Sequence, residues 1–324
     1  MRRPEYTSVF KDEINEYIDF KIENGYEELS FKTNLRNFDR FRVENSLNKK
    51  SFDEELADKW LKRKPDEKPT THYSRINCVK NFLIFLRLKG LPVYVTRDIR
   101  FHPTEFKPHI YTPGETERYF WEVDHYQCLC SRRTEIELPV IFRILYSCGT
   151  RLNETLGIRK CDVDLNKGTL LLNETKNKNQ RMIVISDDLN NLLKQYADKC
   201  FYMYSENDYI FVNAAGRRMR GDTLDTIHRE ILSRAGIPYI GGNYGPRIHD
   251  WRSTFAVNSF RQMGDAGMDM YVCLPILSAY MGHKTIYATE QYLQLTLDHF
   301  PYLEEKMKNK MNRIFDGRII YEDN

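Results

Sequence analysis

The sequence predicts a mainly helical protein with two domains, the second of which carries a small antiparallel sheet in addition to its helices. Three observations support this fold class. Apolar residues recur at helical spacing through most of the 324 residues. Prolines interrupt that pattern between residues 91 and 113, and two short apolar runs later in the chain flank a polar turn. We therefore predict an N-terminal helical domain over residues 1–100, a linker over 101–111 and a second domain over 112–324.

The N-terminal domain is predicted to contain four helices. Phe10, Ile14, Ile18 and Ile22 lie four residues apart, which places them on one helical face. Ser51 stands just before a run of acidic residues, as is typical of a helix N-cap. The predicted helices span residues 6–24, 29–44, from the Ser51 cap to about residue 62, and 70–89.

Basic residues are concentrated in the last two of these helices and in the segment between them. Such a cluster is commonly a solvated surface, but a helical face rich in Lys and Arg also binds phosphates without sequence preference. Composition leaves both interpretations open. The candidate DNA-binding residues are Lys59, Lys62, Arg63, Lys64, Arg75 and Lys80, together with Lys178 further along the chain.

The second domain begins with a helix and contains one predicted hairpin. Thr112 before Pro113 is typical of an N-cap followed by proline at the first helical position. The apolar runs Thr169–Asn173 and Met182–Ile185 flank the polar turn Lys176–Gln180, which predicts two paired strands. The helices of this domain are predicted over residues 114–125, 134–148, 187–200, 222–235, 249–262, 269–280, 285–295 and 299–312.

Composition limits the possible partners and compartments. The net charge is only +3, so any DNA-binding face must be a local patch on a protein that is not generally basic. The seven cysteines form no framework pattern, which indicates free thiols in a reducing compartment. There is no apolar signal segment and no run of about 18 apolar residues. We expect a soluble, cytoplasmic protein that does not bind membranes.

Two short motifs combine an arginine with a second polar group. His249 and Arg252 are three residues apart near the start of a predicted helix, so both can reach one phosphate. An ordinary helix with a surface arginine would explain this pair alone. Arg151 follows Gly149 at the start of a short helix, where backbone N–H groups and the helix dipole favour an anion. Glu154 is placed to hold the Arg151 guanidinium by an ion pair.

A third motif sets a condition on the path of the chain. His283 and Tyr292 are nine residues apart, and on one continuous helix they would face opposite directions. Gly282 predicts a turn, and Thr285 is a candidate cap for a new helix that carries Tyr292 back toward His283. The motif therefore forms one site only if the chain turns after Gly282.

Two positions in these motifs have competitors. Tyr287 and Tyr280 are alternative nucleophiles to Tyr292, but Tyr287 lies about 140° from Tyr292 around a helix, so both cannot face one phosphate. Lys176 lies on the predicted hairpin turn, where a flexible ammonium group can protonate a leaving 5′ oxygen. Lys178 is an alternative to it.

Two arginines, two histidines and a tyrosine are the groups needed to bind a phosphodiester and attack it. Their order resembles that of the tyrosine recombinases, the phage integrase family of the lambda-integrase and Xer type. The resemblance covers residues 112–324. Thr150–Leu156 is similar to the first arginine box of that family, Lys176–Arg181 to its hairpin lysine motif, His249–Ala256 to its second box and Met281–Leu293 to its third.

The resemblance implies a fold and a role for each candidate residue. The fold would be an N-terminal four-helix, SAM-like core-binding domain and an α+β catalytic domain, which together form a C-shaped clamp on double-stranded DNA. Tyr292 would form a 3′-phosphotyrosyl link, while Lys176 protonates the leaving 5′ hydroxyl and His249 acts as general base. His283 would donate to a phosphate oxygen. The implied catalytic residues are Arg151, Lys176, His249, Arg252, His283 and Tyr292, with Glu154 in support.

The resemblance also implies partners. These are specific recombination sites in DNA, a homo-tetramer on two such sites, accessory DNA-bending proteins, and the nucleoid of a bacterial cytoplasm. No cofactor is expected, because the covalent link conserves the bond energy and needs neither ATP nor a metal. The segment Met268–Tyr280 is longer and more apolar than in minimal members, which favours integration or excision of a mobile element. We expect no arm-binding domain before residue 1, and we expect the stretch after Tyr292 to pack on a neighbouring subunit.

Three other functions remain as alternatives. A type IB topoisomerase would relax DNA by the same chemistry, and a catalytically silent regulator would bind DNA without cutting it. A metal nuclease would use His249 and His283, or the cluster His125-x-x-Cys128-x-Cys130. The metal hypothesis is weak because these histidines lack a thiolate or carboxylate partner at ligand spacing and the cluster has no closing pair.

Overall fold

The computed structural model describes residues 5–26, 28–45, 49–101, 107–128, 131–173, 180–241, 245–283 and 285–305. The chain divides into two compact units, Met1–Phe106 and Lys107–Asn324. Both units are helical, and the second also contains a three-stranded antiparallel sheet. The predicted fold class, mainly helical with a small antiparallel sheet, is confirmed.

The described part of the first unit consists of four helices around an aromatic core. Phe10, Phe38 and Phe82 are fully buried, and their ring centroids lie 5.9–6.4 Å apart. Trp60 packs edge-on against Phe38 at 5.4 Å. Of these rings, Phe10 belongs to the apolar face that the helical spacing predicts for the first helix. The helices are α1 (Lys11–Glu23), α2 (Leu29–Glu44), α3 (Glu54–Leu61) and α4 (Pro69–Leu88).

The beginnings of α1 and α3 differ from the prediction. The backbone N–H groups of Thr7 and Ser8 both donate to the buried Asp39 carboxylate at 2.9 Å, which holds these residues outside α1. The N-cap of α3 is Asp53 rather than Ser51, and its carboxylate accepts the N–H of Leu56 at 2.9 Å. Both Ser and Asp are good caps. The buried Asp39 carboxylate therefore decided the start of α1, whereas α3 starts at a local cap two residues after the predicted one.

Arg75 was predicted to bind DNA, and the structure corrects this prediction. Its side chain is buried, and its Nε and one terminal nitrogen donate to Glu67 at 2.7 and 2.9 Å. The other terminal nitrogen donates to the Trp60 carbonyl at 2.7 Å. These bonds satisfy the guanidinium inside the unit, so it is unavailable to a phosphate. By contrast, Lys62 and Lys64 are exposed.

The second unit is built mainly of helices with a small sheet between α7 and α8. Helix α10 is central, because it packs against α6, α11 and α12. The buried Trp251 of α10 stacks on Tyr111, with ring centroids 3.7 Å apart and planes 3° apart. The helices are α5 (Pro113–Asp124), α6 (Arg132–Cys148), α7 (Leu152–Leu156), α8 (Asp187–Cys200), α9 (Gly221–Arg234), α10 (Asp250–Asp265), α11 (Met270–Met281) and α12 (Tyr287–His299).

The sheet has the order β1-β2-β3 and is antiparallel throughout. Its strands are β1 (Val163–Asp164), β2 (Thr169–Leu172) and β3 (Arg181–Val184). Strands β2 and β3 confirm the predicted hairpin, with Leu172 opposite Arg181. The sequence did not reveal β1, because two residues are too few for an alternating pattern. The predicted tip residues Lys176 and Lys178 lie outside the described residues.

Two features of the C-terminal helices differ from the prediction: the start of α12 and the helix predicted over residues 299–312. Helix α12 starts at Tyr287 after Ile286, and no side chain caps it. The predicted Thr285 cap is therefore wrong, because the backbone carbonyl of Thr285, rather than its hydroxyl, accepts the N–H of Ala288. Within the helix predicted over 299–312, His299 ends α12, Phe300 is not helical and residues 301–305 are helical, while residues 306–312 lie outside the described residues.

We expect replacement of Arg75 by alanine to affect the stability of the protein. The change leaves the buried Glu67 carboxylate without its partner, so the free energy of unfolding should fall by about 3–5 kcal/mol. Urea denaturation followed by circular dichroism measures this loss. The control, Lys62→Ala, removes an exposed charge and should change stability by less than about 0.5 kcal/mol. Equal stabilities of the two variants would contradict the prediction.

Candidate active site

Arg252 joins three distant parts of the second unit. One terminal nitrogen donates to the Gly149 carbonyl at 2.6 Å, and the other to the Met281 carbonyl at 2.7 Å. That second nitrogen also lies 2.8 Å from Nε2 of His283. The residue is only 2% exposed. The first turn of α10 is thereby tied to the end of α6 and to the end of α11.

The start of α10 is held in place by a second buried group. The Asp250 carboxylate is fully buried and accepts the backbone N–H groups of Arg247 at 3.0 Å and His109 at 3.3 Å. Its neighbour Trp251 is fixed by the stack on Tyr111. Because the helix start is anchored on both sides, the side chains of its first turn have defined positions.

Gly149 provides the turn that brings Arg151 into the site. Its φ of +58° lies in the left-handed region, and a Cβ here would lie 2.2 Å from Cδ1 of Phe255. Helix α6 ends at this turn, and α7 begins three residues after Gly149. Glycine is therefore required both for the backbone conformation and for the close approach to α10.

The Glu154 carboxylate is shared by two arginines. It accepts the Arg151 side chain at 2.6 Å and the Arg151 backbone N–H at 2.9 Å. It also accepts both terminal nitrogens of Arg181, at 3.0 and 2.6 Å. The other terminal nitrogen of Arg151 donates to the Gly282 carbonyl at 3.2 Å. The predicted pair of Glu154 with Arg151 is present, and Arg181 is an additional member that the sequence did not indicate as a site residue.

His283 is held between Arg252 and Thr289. Its Nε2 accepts from Arg252, since a guanidinium can only donate. The ring proton of the neutral histidine is therefore assigned to Nδ1, which donates to the Thr289 hydroxyl at 2.7 Å. Thr289 was not predicted as a site residue. It lies one helical turn before Tyr292 on the buried face of α12. This spacing is the only feature of the sequence that could have indicated Thr289 as a site residue.

The chain turns after α11, as the motif requires. Gly282 has a φ of +66°, and α12 starts five residues later. Tyr292 is 4% exposed, and its ring lies 6.0 Å from the His283 ring at an angle of 18°. Tyr287 points to solvent with 77% exposure, and Tyr280 stacks on Phe255 instead. Tyr292 is thus the tyrosine that lies beside the arginine–histidine cluster.

The cluster shifts the pKa values of its members. Burial, together with the charges of Arg252 and Arg151, lowers the pKa of His283 to about 4. His249 is an exposed residue at the N-cap position of α10, and its side chain makes no capping hydrogen bond. Partial loss of water around its ring and the charges of Arg252 and Arg247 lower its pKa to about 4. Burial raises the pKa of Glu154, but hydrogen bonds from Arg181 and Arg151 outweigh it and bring the pKa to about 2. At neutral pH the histidines are therefore uncharged and the carboxylate is ionised.

The structure also bears on the metal and membrane hypotheses. No group of three or more His, Cys, Asp or Glu side chains in the described ranges is placed to hold a metal ion. In the candidate cluster, Nδ1 of His125 donates to the Trp121 carbonyl at 2.7 Å, and Cys130 lies outside the described residues. No helix in the described part of the chain has the length and apolar character needed to cross a membrane.

The sequence pattern of the phage integrase family matches residues 123–299, which is more than half of the chain. The chain therefore belongs to the phage integrase family, the family of tyrosine recombinases. It is 26% identical to the integrase/recombinase y4rB of Sinorhizobium fredii over 96% of this chain and 99% of that protein. It is also 26% identical to tyrosine recombinase XerA of Thermococcus kodakarensis over 52% of this chain and 55% of that protein.

Solved structures show the same fold. The integrase of transposon Tn1549, in complex with transposon right end DNA, superposes with a TM-score of 0.65 at 14% identity, covering 88% of this chain and 94% of that one. A lambda integrase tetramer bound to a Holliday junction gives 0.63 at 13% identity, covering 89% of this chain and 78% of that one. The predicted recombinase family and enzyme class, a tyrosine-type site-specific DNA recombinase, are confirmed.

We expect His283 to make stability depend on pH. Its pKa of about 4 in the folded chain lies below the ordinary value of 6.5, so between these pH values the unfolded chain binds a proton that the folded chain does not. Stability should therefore rise from pH 4 to 6.5 and level off above. Replacement by glutamine should make this rise shallower without abolishing it, because the pKa of His249 is lowered to the same value. Urea unfolding at several pH values measures the slope. An unchanged slope would contradict the assignment.

Proposed function

We propose that this chain cuts and rejoins double-stranded DNA through a phosphotyrosyl intermediate on Tyr292. The observation that carries the proposal is the contact of Tyr292 with His283, which in turn contacts Arg252. A nucleophile, a neutral imidazole and a buried guanidinium thus meet at one place. This arrangement is suited to attack on a phosphodiester, which needs an oxygen nucleophile and fixed positive charge around the developing negative charge.

The arginines would bind the scissile phosphate. Arg151 and Arg252 both approach the segment Met281–Gly282, because they donate to its two carbonyl groups. Two guanidinium groups on one segment can contact both non-bridging oxygens of a phosphate beside His283. Their positions are preorganised by Glu154 and Gly149, so little rearrangement is needed when charge develops in the transition state.

The histidines would handle protons. A pKa of about 4 keeps His249 neutral at pH 7, so it can accept the proton that Tyr292 loses on attack. His283 has its Nε2 occupied by Arg252. A bound phosphodiester adds negative charge, which favours protonation of His283 and gives it an N–H to donate to a phosphate oxygen.

Lys176 would be the general acid for the leaving 5′ hydroxyl. It follows the end of strand β2, whose partner strand β3 begins with the site residue Arg181. A lysine side chain is long and carries its charge at the end, so Lys176 would deliver a proton to the leaving oxygen from this part of the sequence. Lys178 is close enough in the sequence to be the alternative.

The partners of the reaction are also part of the proposal. The exposed residues Lys59, Lys62, Arg63 and Lys64 of the first unit would contact DNA phosphates. Lys80 is already paired with Asp98 at 2.5 Å and would have to exchange this partner. We propose a homo-tetramer on two recombination sites of a mobile element in a bacterial nucleoid, with accessory DNA-bending proteins. A relative named integrase/recombinase supports the mobile-element role, and the tetrameric lambda integrase supports the tetramer.

Replacement of Tyr292 by phenylalanine should abolish the covalent protein–DNA adduct, because the nucleophilic oxygen is lost. The substrate is a library of nicked duplexes with a randomised core, from which wild-type protein selects cleavable sites as adducts on denaturing gels. The matched control is Tyr287→Phe, which removes the same hydroxyl from an exposed position and should leave adduct formation unchanged. Adducts formed by the Tyr292 variant, or lost in the control, would show that the nucleophile lies elsewhere.

Replacement of Lys176 by alanine should slow cleavage by about 10²–10⁴-fold, the usual contribution of a general acid. A selected duplex with a 5′-phosphorothiolate at the scissile bond has a leaving group that needs no proton, so it should restore the rate. Lys178→Ala serves as the control on both substrates. If Lys178 is the acid instead, Lys178→Ala will be the variant that cleaves slowly and that the phosphorothiolate restores.

A further inference from the structure

Arg181 lies in the site although it comes from the sheet. It is the first residue of β3, and its side chain shares the inward face with the buried Ile183. Met182 and Val184 on the other face are 67% and 69% exposed. The Arg181 side chain is 12% exposed, and both of its terminal nitrogens bind Glu154. A charged residue on the buried face of a strand requires a specific partner, and here that partner is the carboxylate beside Arg151.

The surroundings are built closely around this guanidinium. A Cβ on Gly282 would lie 2.8 Å from a terminal nitrogen of Arg181, so a larger residue at this turn would displace the guanidinium. The Nε of Arg181 is buried and has no hydrogen-bond partner among the described residues. Burying a cation with one donor unsatisfied costs free energy. A role in stability alone is therefore a poor explanation for Arg181.

A charge count indicates what Arg181 contributes. Three guanidinium groups (Arg151, Arg181 and Arg252) surround one carboxylate, Glu154, which gives the cluster a net charge of plus two. A phosphodiester carries one negative charge and gains a second in a pentacovalent transition state. Without Arg181 the cluster would have a net charge of only plus one, because Glu154 would cancel one of the two remaining arginines.

In the absence of DNA, the described titratable groups near the cluster do not alter this count. His249 and His283 are neutral at pH 7, because burial and the arginine charges hold the pKa of each at about 4. Arg247 is paired with the Asp250 carboxylate at 3.2 Å, so these two charges offset each other. Among the described residues, and before a phosphodiester binds, the charge balance of the cluster therefore depends on the three arginines and Glu154.

We infer that Arg181 is a positioning residue of the phosphate site: it occupies the second side of Glu154, so that Arg151 is held in place while the cluster keeps its net positive charge. Glu154 orients Arg151 but would also neutralise it, and Arg181 offsets that effect. The inference rests on the proposed function, since it assigns Arg181 a part in the same cleavage. It extends the site from α7, α10 and α12 to strand β3.

Charge compensation tests this inference. Arg181→Gln should slow adduct formation on a selected nicked duplex by roughly ten- to a hundredfold, the effect of one unit charge in a partly buried site. The double variant Glu154→Gln/Arg181→Gln has the wild-type net charge and should regain about tenfold over Arg181→Gln. Arg181→Lys keeps the charge and should fall between wild type and Arg181→Gln. A purely structural role predicts that the double variant is no faster than the single one.

A neutral substrate gives an independent readout. A methylphosphonate at the scissile position removes one negative charge, so the rate difference between wild type and Arg181→Gln should shrink on it. The matched control is Arg143→Gln, which breaks a two-pronged arginine–carboxylate pair with Asp124, at 2.7 Å for each bond, outside the cluster. It should cleave both substrates at the wild-type rate. Circular dichroism spectra establish that each variant is folded.

The outcomes separate the two proposals. An equal defect of Arg181→Gln on both substrates, with no recovery in the double variant, would overturn the role of Arg181 and leave the proposed function intact. If wild-type protein forms no adduct with any duplex of the library, the proposed function itself fails. Adducts that form at the wild-type rate with Arg181→Gln would also overturn the inference.

Discussion

The buried guanidinium of Arg252 is the interaction on which the rest of the site depends. It binds carbonyl groups at the end of α6 and at the end of α11, and it also contacts His283. These segments are more than a hundred residues apart in the chain, and no other single side chain among the described residues is hydrogen-bonded to all of them. A guanidinium suits this task because its donors spread in a rigid plane. Once Arg252 is in place, the turns at Gly149 and Gly282 have fixed positions. These two turns determine where Arg151 and Tyr292 lie.

This arrangement gathers positive charge where little water can screen it. Burial and the charge of Arg151 lower the pKa of Arg252 to about 10, and the same cations keep both histidines neutral. The cluster thus holds unfavourable like charges together in the absence of DNA. Such a cost is typical of sites that are complementary to a charged ligand rather than to the folded chain alone. Glu154 relieves part of the repulsion, because it lies between Arg151 and Arg181.

Much of the fold could be predicted because its signals are local. The periodic apolar faces of α4 and α8 placed these helices within a residue of their observed ends, and Thr112 with Pro113 marked the start of α5. Two of the errors arose from contacts outside the local helical pattern. Asp39 keeps Thr7 and Ser8 out of α1, and Glu67 draws Arg75 away from the surface. Neither partner is visible in the local pattern around the residue that it affects.

The sequence by itself determined which residue types are available for phosphodiester chemistry and in what order, since Arg151, Glu154, His249, Arg252, His283 and Tyr292 stand in recognisable local motifs. Only the tertiary structure decided which of them meet. It placed Tyr292 rather than Tyr287 beside His283, assigned Thr289 as the partner of the imidazole and brought Arg181 from the sheet to Glu154. The physical reason is that a motif specifies neighbours along the chain, whereas burial of a charge is decided by partners that the fold brings together from a distance.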